Sequence, residues 1–169
     1  MKPLSSLTIL LLLVTGIFSQ DGAEKQLDLA RTALAKKTGV PVLLPTKLPH
    51  LDGYRELFVR ANGSRDDYEV TITSRKDCTA NACLVAVFQA ERDRAAPAER
   101  DFDKVITLAD GTRGFYTERS CGVSCAPPQI DFIYKSVLYS IQFVSLGNPQ
   151  EDERKITDIA NSVLGSPRM

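Results

Sequence analysis

The sequence is short of the residues that most often carry chemistry. It has one His, His50, and no Trp among 169 residues. A single His supplies neither a two-His metal site nor much scope for His-based acid–base catalysis. An excess of one charge is also absent, with 21 Lys and Arg against 21 Asp and Glu. That balance leaves no electrostatic footprint for nucleic acid and no polybasic anchor for an anionic membrane. There is no G-x-S-x-G elbow, H-E-x-x-H helix or glycine-rich phosphate loop, and Ser124 in GVSC lacks the second glycine of such an elbow. The expectation is a protein that is not an enzyme and uses no cofactor. Composition excludes disorder too, because 43% hydrophobic and 25% charged residues are ordinary for a globular chain.

Long apolar runs are scarce as well. The one that stands out is residues 7–18, where nine of twelve side chains are apolar and five are Leu, preceded by Lys2. A membrane-spanning helix needs about 20 apolar residues, so this run is too short. A basic start, a short apolar core and a small residue at the end mark a secretory signal peptide, with Ser19 before the cut or, less suitably, Ala23. An uncleaved anchor is the alternative. The domain reading is a signal peptide over residues 1–19 and a single secreted domain over residues 20–169. The processed chain is expected to be secreted or periplasmic, free of the membrane and monomeric.

Export changes what the four cysteines mean. Cys78 and Cys83 lie in CTANAC, and Cys121 and Cys125 in CGVSC. In an oxidising compartment an even count reads as a disulfide framework, and four Cys allow three connectivities. Local pairing, 78 with 83 and 121 with 125, is favoured over cross-pairing, and would act as two loop staples. Neither spacing is the CxxC of a zinc ribbon or a thioredoxin-like redox centre.

Along the domain, Asp21 and Glu24 fit a capping box for a helix over residues 23–37, with Leu27, Ala30 and Leu34 on one face and Gly39 as a stop. Pro41, Pro45 and Pro49 then punctuate an apolar segment, which reads as an extended strap, because proline lacks an amide donor and favours extended neighbours. From Tyr54 the period becomes 2. Leu57, Val59 and Ala61 lead to a predicted tight turn at Asn62-Gly63, followed by Tyr68, Val70 and Ile72 on one face. Residues 84–90 are apolar on both parities, as in a strand covered on both faces. Further turns are expected at Asp110-Gly111 and Lys135-Ser136. Asn148, Pro149 and Glu151 open a last helix with Ile156, Ile159, Ala160, Val163 and Leu164 at helical spacing, closed by Gly165 and Pro167. The pattern predicts an α+β fold: a single antiparallel sheet of about six to seven strands with N- and C-terminal helices packed on it.

Few residues offer themselves as a site. His50 sits in the proline strap and suits a solvated or capping role. Asp66 with Asp67, and Asp101 with Asp103, lack the regular oxygen spacing and turn glycine of a calcium loop. The charged stretch 91–103 reads either as a solvated excursion or as a flap that meets a partner. Asn62-Gly63-Ser64 matches a glycosylation acceptor but is explained by the turn. No catalytic, cofactor-binding or metal residue is assigned.

The strap VPVLLPTKLP, the run FIYKSVLYSIQFV and the closing ITDIANSVL together resemble a family of small bacterial extracytoplasmic domains. Its members show a P-x-x-L-P segment, a W/F-x-x-x-x-x-Y-x-I hairpin and a final helix ending in A-x-S. Pro45, Leu48 and Pro49 match the first. Phe132, Tyr139 and Ile141 match the second with one or two residues of slippage, and Ala160 with Ser162 matches the third. Similar modules form the exported part of anti-sigma-factor-like proteins, and others are free secreted proteins, including cyanobacterial ones. The resemblance implies the fold and an extracytoplasmic place, and it carries no catalytic residue. The functional expectation is a non-catalytic domain that binds an extracytoplasmic protein or a cell-envelope ligand. An inhibitor or stress factor acting on an extracellular enzyme through residues 121–128, and a hydrolase whose carboxylates meet only in the fold, are the alternatives.

Overall fold

The computed structural model describes residues 20–49, 51, 53–78, 80–122, 125–144 and 149–165. Helix α1 (Gln20–Ala35) leads through the strap to β1 (Phe58–Gly63), β2 (Asp67–Thr73), β3 (Leu84–Arg92), β4 (Lys104–Thr107) and β5 (Arg113–Thr117). Then come β6 (Ser120–Cys121), β7 (Cys125–Ala126), β8 (Gln129–Tyr134), β9 (Val137–Phe143) and helix α2 (Pro149–Gly165). Seven strands make one antiparallel sheet in the order β1-β2-β3-β9-β8-β5-β4, and β6 with β7 forms a separate small hairpin. The protein is thus α+β with its two helices packed on a single main sheet.

Alternation builds the covered face. Tyr68, Val70 and Ile72 of β2 stand opposite Ala90, Phe88 and Ala86 of β3, which in turn face Tyr139, Ile141 and Phe143 of β9. Ile130 and Phe132 of β8 extend the row, and all eleven are buried. Leu27, Ala30 and Leu34 of α1 and Ile156, Ile159 and Val163 of α2 close over it. Each large side chain buried this way contributes about 1.5–3 kcal/mol relative to exposure. On the opposite parity Val85 and Val87 are buried too while Gln89 and Glu91 are exposed, so the first half of β3 is covered on both faces.

The strap is buried without belonging to the sheet, so its backbone needs other partners. Side chains supply them. The Tyr68 hydroxyl donates to Leu43 C=O (2.9 Å) and accepts from Leu43 N–H (3.0 Å). Arg31 donates to the carbonyls of Leu44 (3.0 Å) and Pro45 (3.2 Å), and Tyr139 donates to Pro41 C=O (2.8 Å). Glu24 accepts from Leu48 N–H (2.9 Å). Burial pushes the Tyr68 and Tyr139 phenols upward, so both stay protonated donors.

Three local expectations are corrected. The first hairpin turns at residues 65 and 66, since Asn62 and Gly63 pair with Glu69 and Tyr68 inside the strands. Gly63 is needed for contact: a Cβ there would lie 2.9 Å from the Leu34 side chain. The first helix spans Gln20–Ala35 rather than residues 23–37, and the Glu24 carboxylate serves the strap. Glu91 and Arg92, assigned to the charged excursion, are the last residues of β3. The other two turns stand where expected. Gly111 has φ +84°, with its N–H on Leu108 C=O, and Lys135 and Ser136 take φ of 51° and 61° between β8 and β9. His50, Ser124, Asn148 and Pro167 lie outside the described residues.

Candidate functional site

Two regions on this frame are shaped for contact. The first is the end of the sheet where β3 begins and β9 finishes, with Val144 N–H bonded to Val85 C=O (2.8 Å). Cys78 and Cys83 form one disulfide there, and Cys121 and Cys125 form another across the β6–β7 hairpin. Between the two tied segments lies a pocket of about 210 Å³ lined by Tyr54, Leu84, Arg119, Cys125, Pro127 and Val144. Its walls are mostly apolar, and the one charged side chain among them is Arg119. Arg119 lies 2.7 Å from the carboxylate of Asp152 in the first turn of α2, whose side chain is 1% exposed. Burial raises the Tyr54 phenol, which keeps its proton and is neutral at physiological pH.

The second region is the helix-free face of the sheet. Register places Phe115, Asp131, Ser140, Gln89, Glu69 and Asn62 in one row across six strands. Asp131 is buried and accepts from Ser140 Oγ and from Gln129 Nε2 at 2.8 and 2.9 Å. Gln142 Nε2 donates in turn to Gln129 Oε1 (2.7 Å). Burial raises the Asp131 carboxyl, while Ser140, Gln129 and the Arg94 charge pull the other way. The charged excursion passes over the same face. From β3 it must pass β9, β8 and β5 to reach β4, about 19 Å at ordinary strand spacing. It crosses the helix-free face: Phe102 packs on Phe115 with ring centroids 5.0 Å apart, and the Arg94 charge is close enough to act on Asp131. Beside it a shallow groove of about 430 Å³ is lined by polar side chains including Asp67, Glu69, Gln89 and Glu91.

The residues weighed from sequence do not converge. Asp101 accepts from Ala98 N–H and Asp103 from Glu118 N–H. Asp67 accepts from Ser64 N–H, and Asp66 pairs with Arg92. Asp67 and Asp101 serve their own loops, Asp66 and Asp103 tie theirs to neighbouring segments, and among the described residues no three His, Cys, Asp or Glu are grouped to hold a metal. On the helix-free face Asp131 and Glu69 are three strand spacings apart, about 14 Å. Paired carboxylates in glycoside hydrolysis stand about 5–9.5 Å apart, so these two do not form such a pair. The pocket residues Tyr54, Leu84, Arg119 and Val144 were not assigned to a site from the sequence, because four separate segments supply them. Asp131 left a trace: it is the one acid in the alternating run of β8.

Comparison with known proteins adds no relative: no family model, no curated protein and no solved structure matches the chain. No helix among the described residues is long and apolar enough to cross a membrane. The two disulfides suit an oxidising compartment.

Proposed function

We propose that this chain is an exported, non-catalytic binding domain, and that it engages an extracytoplasmic protein or cell-envelope ligand at the disulfide-tied end of its sheet. One observation carries the reading: the mostly apolar pocket whose walls include residues of both disulfide-closed segments. A site of this size takes one apolar anchor, such as an aliphatic or aromatic side chain, and desolvates it. Tied walls lose little conformational freedom on binding, so less of the contact energy is spent on ordering. The apolar run at residues 7–18 and the likeness of the strap, the last hairpin and the last helix to bacterial extracytoplasmic modules support export.

A second reading has its own observation. The pocket adjoins the β6–β7 hairpin, so an inhibitor of an extracellular enzyme would present that hairpin to its target. Affinity capture from periplasm or culture medium tests both. The wild-type chain recovers a saturable partner, and Ala126→Trp, which places a bulky ring at the pocket wall, loses it. Recovery of nothing saturable, or equal recovery by the variant, defeats the proposal. If the partner is an enzyme whose activity falls on binding, the inhibitor reading replaces the general one.

A further inference from the structure

The main sheet ends in two free edges, and they are guarded differently. β4 is four residues long, and its Lys104 is ion-paired to Glu153 of α2. Short, charged edges resist pairing with other chains. β1 is longer, and its outward backbone groups can be identified from the ladder. Ser64 N–H bonds to Asp67 C=O (3.0 Å), so hydrogen-bonded pairs alternate from there through Asn62 and Arg60. Val59, Ala61 and Gly63 therefore turn their N–H and C=O away from β2. Val59 agrees with this parity, since its N–H is taken by Gln26 Oε1 of α1 (3.1 Å). Ala61, at the middle of the edge, is exposed, and among the described residues nothing meets its outward groups.

Beside this edge runs an apolar groove of about 320 Å³ between α1 and β1, lined by Gln26, Leu29, Ala30, Ala33, Val59 and Ala61. Leu29 is 64% exposed, the most of any large hydrophobic among the described residues. The helix runs alongside the strand in the same direction. Gln26 reaches Val59, and Leu34 sits against Gly63. Eight helical residues and four strand residues both cover about 12–13 Å, so the two elements keep step.

We propose that this edge is the interface of a two-fold homodimer, with β1 pairing antiparallel to β1 of a second copy and Ala61 on the axis. The edge is complementary to itself. In this register Ala61 exchanges both backbone hydrogen bonds with Ala61 of the second copy. Val59 pairs with Gly63 of the second copy, whose C=O takes the place of Gln26 Oε1 on the Val59 N–H, and on the helix-free face Arg60 stands opposite the Asn62 amide, with no like charges opposed. The same axis makes the two α1 helices antiparallel neighbours. Their facing strip holds Gly22, Gln26, Leu29 and Ala33, small or uncharged side chains that permit close approach, and a Cβ on Gly22 would meet nothing. Leu29 falls against Ala33 of the second copy, and Lys37 falls beside the first turn that carries Asp21. Both copies use the same edge, so the contact closes at the dimer rather than growing into an open fibre. The contact is small, at the low end of specific interfaces, so dissociation in the micromolar range is expected.

Sedimentation velocity on the processed chain, from about 1 to about 500 µM, decides it. A concentration-dependent monomer–dimer equilibrium is the expected result. Ala61→Pro removes an amide that β2 does not use, and Leu29→Glu puts a charge on the facing strip; each weakens dimerisation at least about tenfold. Asn62→Arg, which sets like charges opposite each other across the axis, does the same. Circular dichroism melts of all three variants at low concentration stay close to wild type. Only monomer throughout the range, a dimer indifferent to Ala61→Pro, or growth beyond the dimer overturns the proposal.

Discussion

Removing one oxygen tests how the strap is held. Tyr68→Phe keeps the ring in the core and deletes the hydroxyl that both donates to and accepts from Leu43. Leu43 is 2% exposed, so water does not replace either bond without moving the strap. A buried polar group left unsatisfied costs about 1–3 kcal/mol, and two are left, the N–H and the C=O of one residue. Partial relaxation of the strap brings the expected loss to about 2–4 kcal/mol. For a domain of this size 1 kcal/mol corresponds to about 2–4 °C in Tm, so the melt shifts down by about 5–15 °C. Tyr139→Phe is the internal standard, since its hydroxyl serves one carbonyl, that of Pro41, and costs about half as much. Denaturant titrations of both single variants and the double variant measure this directly. A Tyr68→Phe loss below about 0.5 kcal/mol, or one no larger than that of Tyr139→Phe, would refute the reasoning that the Tyr68 hydroxyl holds the strap through both of its bonds.

Three further outcomes follow from the same geometry. Arg119→Ala leaves the buried Asp152 carboxylate without its cation and costs about 3 kcal/mol, measured by urea titration; a loss under about 1 kcal/mol refutes the pairing as a structural tie. Burial raises the Asp131 carboxyl above its ordinary range, so the folded state holds that proton more tightly than the unfolded state. Stability carried by this group is therefore present at low pH and lost as pH rises through the folded value, and wild type should gain on Asp131→Asn as pH falls from about 7 to about 4. A flat or opposite difference counts against the burial argument. Intact-mass measurement of the exported protein should find a chain starting near Gln20 with no free thiols, and serine replacement of either cysteine pair should cost about 2 kcal/mol. A full-length or fully reduced species would undo the export reading.

By itself the sequence determined the elements that rest on local periodicity. Leu27, Ala30 and Leu34 repeat at helical spacing and Tyr68, Val70 and Ile72 at strand spacing, and each set points to the side that must leave water. Short turns made the pairing antiparallel, and the two apolar helices required one sheet face to cover. Tertiary structure decided what depends on distant residues meeting. The junction of β3 with β9 joins residues about 50 apart, which no local signal encodes. The first turn moved off Asn62-Gly63 because packing against Leu34 claims that glycine. Cysteine spacing left three connectivities open, and the closeness of Cys78 to Cys83 and of Cys121 to Cys125 is set by where the sheet ends hold their loops. The pocket between those loops and the bare edge of β1 are gaps between elements. A gap has no residue pattern of its own, so only the packed chain reveals it.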